Sequence, residues 1–175
     1  DITGDGSLCS APLLNATGAT GVATSVRKLK TFLSQLYFVT DRYVKVYDST
    51  ANTWATSKDM GAGNNGADLV IFQGTQAAPL MYVGLGTTDP VWTFTGASDT
   101  TVWAQHATQQ AQFFAMNGEK LFFDYFNTDA FVLTFTENGG AAFTIGSEVP
   151  VGDQQAVVTS VVSIEDAVFA FKTDG

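Results

Sequence analysis

Charge is scarce in this chain. Only 14% of its 175 residues are Asp, Glu, Lys or Arg, against roughly a quarter in ordinary soluble domains. Basic residues are scarcer still, eight Lys and Arg against 17 Asp and Glu, giving a formal net charge of −9. A nucleic-acid binder needs a basic stripe, and the one basic cluster here, Arg27-Lys28-Lys30, reads as a solvated strand face. Nucleic acid is therefore not an expected partner. An acidic membrane surface would repel the chain, and no apolar run approaches the length that spans a bilayer, so no membrane insertion is expected. Cys9 is the only cysteine, which excludes an internal disulfide and a cysteine-based metal cage. His106 is the only histidine, and no Gly-x-Ser-x-Gly nucleophile elbow accompanies it. It reads as a solvated turn residue. Helical periodicity is missing as well: residues 99–112 come closest, and the β-branched Thr100, Thr101 and Val102 break the pattern. The four prolines, at 12, 79, 90 and 150, all fall at expected turns.

What the chain does have is apolar and aromatic side chains in short, repeated runs. Hydrophobic residues make up 45% and aromatics 13%, which argues against disorder and allows a large core. The dipeptide Thr-Asp recurs at Thr40-Asp41, Thr88-Asp89, Thr128-Asp129 and Thr173-Asp174, with the Asp residues 48, 40 and 45 apart. Each follows an apolar run, such as Leu36-Tyr37-Phe38-Val39 or Leu80-Met81-Tyr82-Val83. After the first three comes a second run ending in an aromatic, at Tyr47, Phe94 and Phe135. A period in the forties built from paired short strands predicts an all-β propeller of four-stranded antiparallel blades.

The repeats lay out as strands at 26–33, 36–40, 43–47 and 53–57, then 67–73, 80–84, 91–95 and 102–105. The third set is 112–116, 120–125, 131–136 and 142–145, and a partial fourth has 157–164 and 167–172. The corresponding units are about 26–60, 66–106, 111–150 and 155–175, preceded by an opening segment, 1–25, that could add one closing strand. Asn117-Gly118 is a hairpin signal between two apolar runs, and Glu165-Asp166 occupies the equivalent place in the fourth repeat. Trp54, Trp103 and Phe143 follow the third strands at similar intervals and are expected to pack between neighbouring blades. The fourth repeat shows only its inner two strands. With a start at Asp1 and no initiator Met, this points to an incomplete ring, part of something longer.

Tyr47-Asp48-Ser49-Thr50-Ala51-Asn52-Thr53-Trp54 resembles the kelch repeat, whose third strand ends Tyr-Asp and leads through a polar turn to Trp. The kelch double glycine is absent, with Val39-Thr40 in its place. Ser98-Asp99 before Trp103, and Glu137-Asn138-Gly139-Gly140 before Phe143, resemble degenerate Asp-boxes of sialidase-type repeats in bacterial and phage surface proteins. The resemblance spans about residues 26–172 and concerns architecture. It implies a virion or cell-surface location, and a glycan as one possible ligand. Sialidase chemistry would need an arginine cluster to clamp a carboxylate sugar, and only Arg27 and Arg42 are present.

Asp41, Asp89, Asp129 and Asp174 would share the face formed by the turns after the second strands. Four carboxylates on one rim could gather a cation or a basic partner. The stronger reading makes Thr and Asp ordinary turn residues that cap their own backbone. Asp1 and Asp5 begin a calcium-loop-like sequence, Asp1-Ile2-Thr3-Gly4-Asp5-Gly6, that fails at Cys9 and Pro12. Calcium is thus the one cofactor worth a test, and otherwise none is expected. Gly61-Ala62-Gly63-Asn64-Asn65-Gly66 is Gly-rich but precedes a strand, so it reads as an inter-blade connection and not a phosphate loop. Trp92 and Trp103 are the candidate sugar-stacking aromatics. The expected function is a non-catalytic structural or binding module in a larger extracellular or virion assembly, contacting neighbouring protein subunits. The alternative is a glycan-binding or glycan-processing propeller.

Overall fold

The computed structural model describes residues 26–61, 68–86, 89–96, 103–124, 131–152 and 156–173. Every regular element among them is a β-strand, as expected. Four antiparallel meanders follow one another, so strand order within each sheet is chain order. The first sheet holds β1 (Lys28–Phe32), β2 (Gln35–Val39), β3 (Tyr43–Asp48) and β4 (Thr53–Asp59). The second holds β5 (Asp68–Phe72), β6 (Leu80–Gly84), β7 (Trp92–Phe94) and β8 (Trp103–Gln105). The third holds β9 (Phe114–Asn117), β10 (Lys120–Asp124), β11 (Val132–Thr136) and β12 (Val149–Pro150). The fourth has two described strands, β13 (Val158–Ile164) and β14 (Ala167–Lys172).

Three tight hairpins join first to second strands through turns that include left-handed backbone. Leu33 and Ser34 take φ of 47° and 65° between β1 and β2, Gly118 takes 57° between β9 and β10, and Glu165 takes 52° between β13 and β14. Such angles suit the right-handed twist of the flanking strands, and glycine or asparagine adopts them most cheaply.

Burial follows from what lies beside each face. Tyr37, Val39 and Val44 of the first sheet meet Met81, Val83, Phe94 and Trp103 of the second. On the second sheet's other face, Leu80 and Tyr82 meet Phe114, Leu121, Phe123 and Phe143 of the third. Ala115 and Leu133 then meet Val158 and Val161 of the fourth. Strand β6 is apolar on both faces because sheets flank it on both sides, and all five of its residues are buried. Each large aromatic in these layers contributes on the order of 2–3 kcal/mol by burial. The first strands of successive sheets are neighbours, β1 with β5, β5 with β9, and β9 with β13. Gly84 permits one close approach: a Cβ there would stand 2.6 Å from the Ala111 carbonyl oxygen.

Two expectations need correction. The third sheet's fourth strand is not 142–145 but Val149–Pro150, paired with Leu133 and Val132. Phe143 is drawn between the second and third sheets, 6.2 Å from Tyr82 and 5.6 Å from Phe123 by ring centroids, and this takes its neighbours out of the ladder. Trp54 does not pack between two described sheets. It lies across from Tyr47 and edge-on to Phe38, with centroids 5.2 and 4.5 Å away, on the face turned from the second sheet. Trp103, its counterpart, does pack between sheets.

Candidate functional site

A cavity of about 280 Å³ runs where the four sheets converge. Its walls come from first strands alone: Lys28 and Lys30 of β1, Leu69–Ile71 of β5, Phe114–Met116 of β9 and Val161–Ser163 of β13. Edge strands that each give one face to a shared cavity make a wall of alternating side chains. The ionisable groups on that wall are Lys28 and Lys30, both basic in an otherwise acidic chain.

Two buried carboxylates stand beside this wall, and one of them bridges its strands. Asp68 opens β5; its Oδ1 accepts from its neighbour Leu69 N–H (2.8 Å) and pairs with Lys28 Nζ (3.0 Å). Its Oδ2 accepts from the Phe114 N–H at 2.9 Å, which ties β5 to β9. Asp124 closes β10, and its Oδ1 accepts from the N–H groups of Gln112 (2.7 Å) and Phe113 (2.8 Å). Its Oδ2 is buried with no hydrogen-bond partner among the described residues. Burial pushes the Asp124 carboxyl up to about 7, with the nearby Asp68 charge adding to the rise and backbone bonds opposing it. Neither residue was singled out in the sequence. The available signal was a carboxylate set directly against an apolar run, before Leu69-Val70-Ile71-Phe72 and after Leu121-Phe122-Phe123.

Of the Thr-Asp turns, the one described whole is Thr40-Asp41, which follows β2. In the turn from β2 to β3, the buried Thr40 hydroxyl accepts from the N–H groups of Tyr43 (2.8 Å) and Arg42 (3.2 Å). That is backbone capping by the Thr side chain. Asp41 pairs with Arg27 Nε at 2.7 Å. Arg42 reaches Asp59 at the end of β4 through two bonds, 2.8 and 2.6 Å, and the Gly61 N–H adds a third at 2.9 Å. Bonding to Arg42 first, then to Gly61, lowers the Asp59 carboxyl to about 2. Both ion pairs are exposed, so they orient the turns and add little stability.

Asp89 sits half-buried in the bend between β6 and β7. Asp129, Asp174, Asp1 and Asp5 lie outside the described residues, as do Ser98-Asp99 and most of the Gly-rich stretch 61–66. Among the described residues no three His, Cys, Asp or Glu side chains gather as a metal site. Trp103 is buried and stacks on Phe94 at 4.5 Å, while Trp92 is half-buried beneath Lys58, whose Nζ lies 4.0 Å from the ring centroid. No described helix is long and apolar enough to cross a membrane.

No family model matches the chain, and no curated protein matches it in sequence. His106 is not a bare turn residue: its Nδ1 accepts from Gln109 N–H (2.8 Å) and Thr108 N–H (3.2 Å). That leaves Nε2 to donate to the Phe143 carbonyl at 3.0 Å, so one neutral tautomer serves both partners. The ring also lies 4.4 Å from that of Phe143 and links the second sheet to the third. The hairpin from β3 to β4 is internally bonded, with Tyr47 Oη donating to Asn52 Oδ1 at 2.6 Å and Asp48 Oδ1 accepting from Thr50 and Ala51 N–H groups. At the opposite strand ends a larger cleft of about 990 Å³ lies between the second and third sheets, walled by Ile71, Phe72, Met116 and Phe122. The Lys120–Glu137 pair, 2.9 Å apart, stands at its edge.

Proposed function

We propose that this chain is a β-propeller module with a non-catalytic, structural role in a larger extracellular or virion assembly, where it contacts neighbouring protein subunits. The observation that carries the reading is the cavity walled by β1, β5, β9 and β13 and by no other described strand. In a propeller the first strand of every blade lines the axis, and consecutive blades pack face to face. The three apolar layers between consecutive sheets fit that arrangement. So does the kelch-like hairpin. An assembly role draws support from the sparse charge and from apolar side chains left open on the last two sheets.

A glycan-binding or glycan-processing role is the weaker reading. Trp103 is spent in the core, and Lys58 covers one face of Trp92. Both arginines are already paired with aspartates, so no carboxylate clamp stands ready. The test is electron microscopy of the native particle or surface fraction that contains the chain, joined to sizing in solution. The expected result is a repeated, ring-shaped density with the chain in stable contact with other subunits. A free monomer in the native fraction, or sheets stacked without a common axis, would overturn the proposal.

A further inference from the structure

The cleft of about 990 Å³ between the second and third sheets lies in the middle of the chain, and both sheets that wall it have four described strands. The turn from β5 to β6 forms one lip and the tight hairpin from β9 to β10 the other. Beside it the two sheets are tied together, for Thr75 Oγ1 and Gln76 Nε2 both donate to the Asn138 carbonyl, at 3.2 and 2.8 Å. The floor is apolar, made by Ile71 and Phe72 of β5, Met116 of β9 and Phe122 of β10. Met116 is 43% exposed. The volume stands at the upper end of ordinary ligand clefts, roughly 300–1,000 Å³.

Hydrogen-bond donors on this wall are already engaged within the fold. Gln73 Nε2 donates to the Gln76 carbonyl at 3.0 Å, and Asn117 Nδ2 donates to Ser163 Oγ and the Glu165 carbonyl, both at 3.2 Å. Lys120, the one cation of the lining, pairs with Glu137 at 2.9 Å. Acceptors are left over. The side-chain oxygens of Gln73 and Asn117 and the exposed Glu119 carboxylate meet no donor among the described residues. The Asn117 bond also brings up the hairpin from β13 to β14, where Glu165 and Asp166 add two exposed carboxylates. An occupant that complements this cleft brings apolar surface, several donors and positive charge.

The chain does not supply that charge itself. All eight of its Lys and Arg residues are among the described ones. Arg27, Lys28 and Arg42 are paired with aspartates, Lys58 lies over Trp92, and Lys45 is buried against Thr56. Lys30 lines the cavity where the four sheets converge, and Lys172 lies toward Phe131. A second copy brings the same engaged cations and a net charge of −9, so like charges would meet.

We propose that this cleft docks an extended segment of a partner protein that carries Arg or Lys between apolar residues. The inference deepens the assembly reading above and rests on it, naming what a neighbouring subunit presents. Arg suits the site best, because its five donors match a wall of acceptors and its flat, weakly hydrated head lies well on apolar and aromatic surface. Met116 adds a side chain that adapts its shape to what it meets.

The probe is a labelled peptide, Arg-Leu-Arg-Leu-Arg-Leu, titrated into the intact 175-residue chain at low ionic strength. Saturable binding is expected, with hydrogen exchange slowed about threefold or more at residues 73–75 and 117–120. Glu119→Lys and Met116→Ser should each weaken binding about tenfold. Spermine and a peptide alternating Arg with Ser should bind about tenfold more weakly, because they lack the apolar part. Absence of saturable binding would overturn the proposal. So would equal binding of spermine, which would mean a diffuse charge effect, or full-strength binding to both variants, which would place the peptide elsewhere. The same amides are then followed in the native polypeptide, alone and within its assembly, and protection should appear only in the assembly. Protection in the polypeptide alone would mean that its own residues fill the cleft, and none in the assembly would mean that no partner does; either result overturns the proposal. If the native polypeptide is a free monomer, the assembly reading fails while peptide binding still decides the cleft.

Discussion

Replacing Asp124 by Asn should remove a pH dependence of stability that the wild-type chain carries between about pH 4 and pH 7. Asp124 is 1% exposed, and its Oδ2 has no partner among the described residues, so ionising it in place is costly. Burial raises the carboxyl from 3.8 to about 7, helped by the neighbouring Asp68. Between those two values the folded chain holds a proton that the unfolded chain has released. The stabilisation is complete below the unfolded value and is lost as pH rises through the folded one. Each pH unit in that interval is worth about 1.4 kcal/mol, so the full span has a ceiling of about 4 kcal/mol. Between pH 5 and pH 8 the loss comes to about 2–3 kcal/mol. Asn keeps the Oδ1 acceptor for Gln112 and Phe113 and carries permanent hydrogens on the other side of the group. Urea unfolding of both proteins at several pH values isolates the effect in their difference. The two should be similar at pH 5, with the variant more stable at pH 8. Parallel profiles across this range would refute the argument, because they would mean that the Asp124 proton is not linked to folding.

Tyr82 Oη receives a hydrogen bond from the Gly140 N–H at 2.7 Å in a buried setting, so Tyr82→Phe leaves that amide unpaired. Chemical unfolding should show a loss of about 1–3 kcal/mol. Ser34 sits at φ 65° in a two-residue hairpin, where glycine is unstrained. Ser34→Gly should raise the midpoint of thermal unfolding through a gain of about 0.5–1 kcal/mol. His106→Ala removes the acceptor for two backbone N–H groups and the donor to Phe143 O, and should cost about 2–4 kcal/mol. Because the two Nδ1 bonds hold the connection that follows β8, amides of residues 107–111 should exchange faster in that variant.

Much of the fold could be read locally. Apolar runs with polar turns mark nearly every strand, because side-chain alternation and turn geometry depend on only a few adjacent residues. Thr40 illustrates this, since capping Arg42 and Tyr43 is a matter of two or three residues. The buried carboxylates were not legible. Asp68 acts on Phe114, 46 positions away, and Asp124 acts on a connection that its own strand does not touch in sequence. Their one local mark, a carboxylate set directly against an apolar run, does not say which distant amide it will meet. His106 was misjudged for the same reason: its partner Phe143 lies 37 residues on.

What the sequence determined by itself is the repeat: short strands, tight turns and their order along the chain, all set by local sterics and by the two-residue alternation of a pleated backbone. What tertiary structure decided is which of two equivalent faces is covered. Trp54 and Trp103 follow the same pattern, yet only Trp103 sits between two described sheets. Likewise β6 and β14 are both apolar on both faces, and only β6 is buried on both. Burial is a property of the neighbouring sheet as much as of the strand, and a strand's sequence states its appetite for cover but not what provides it.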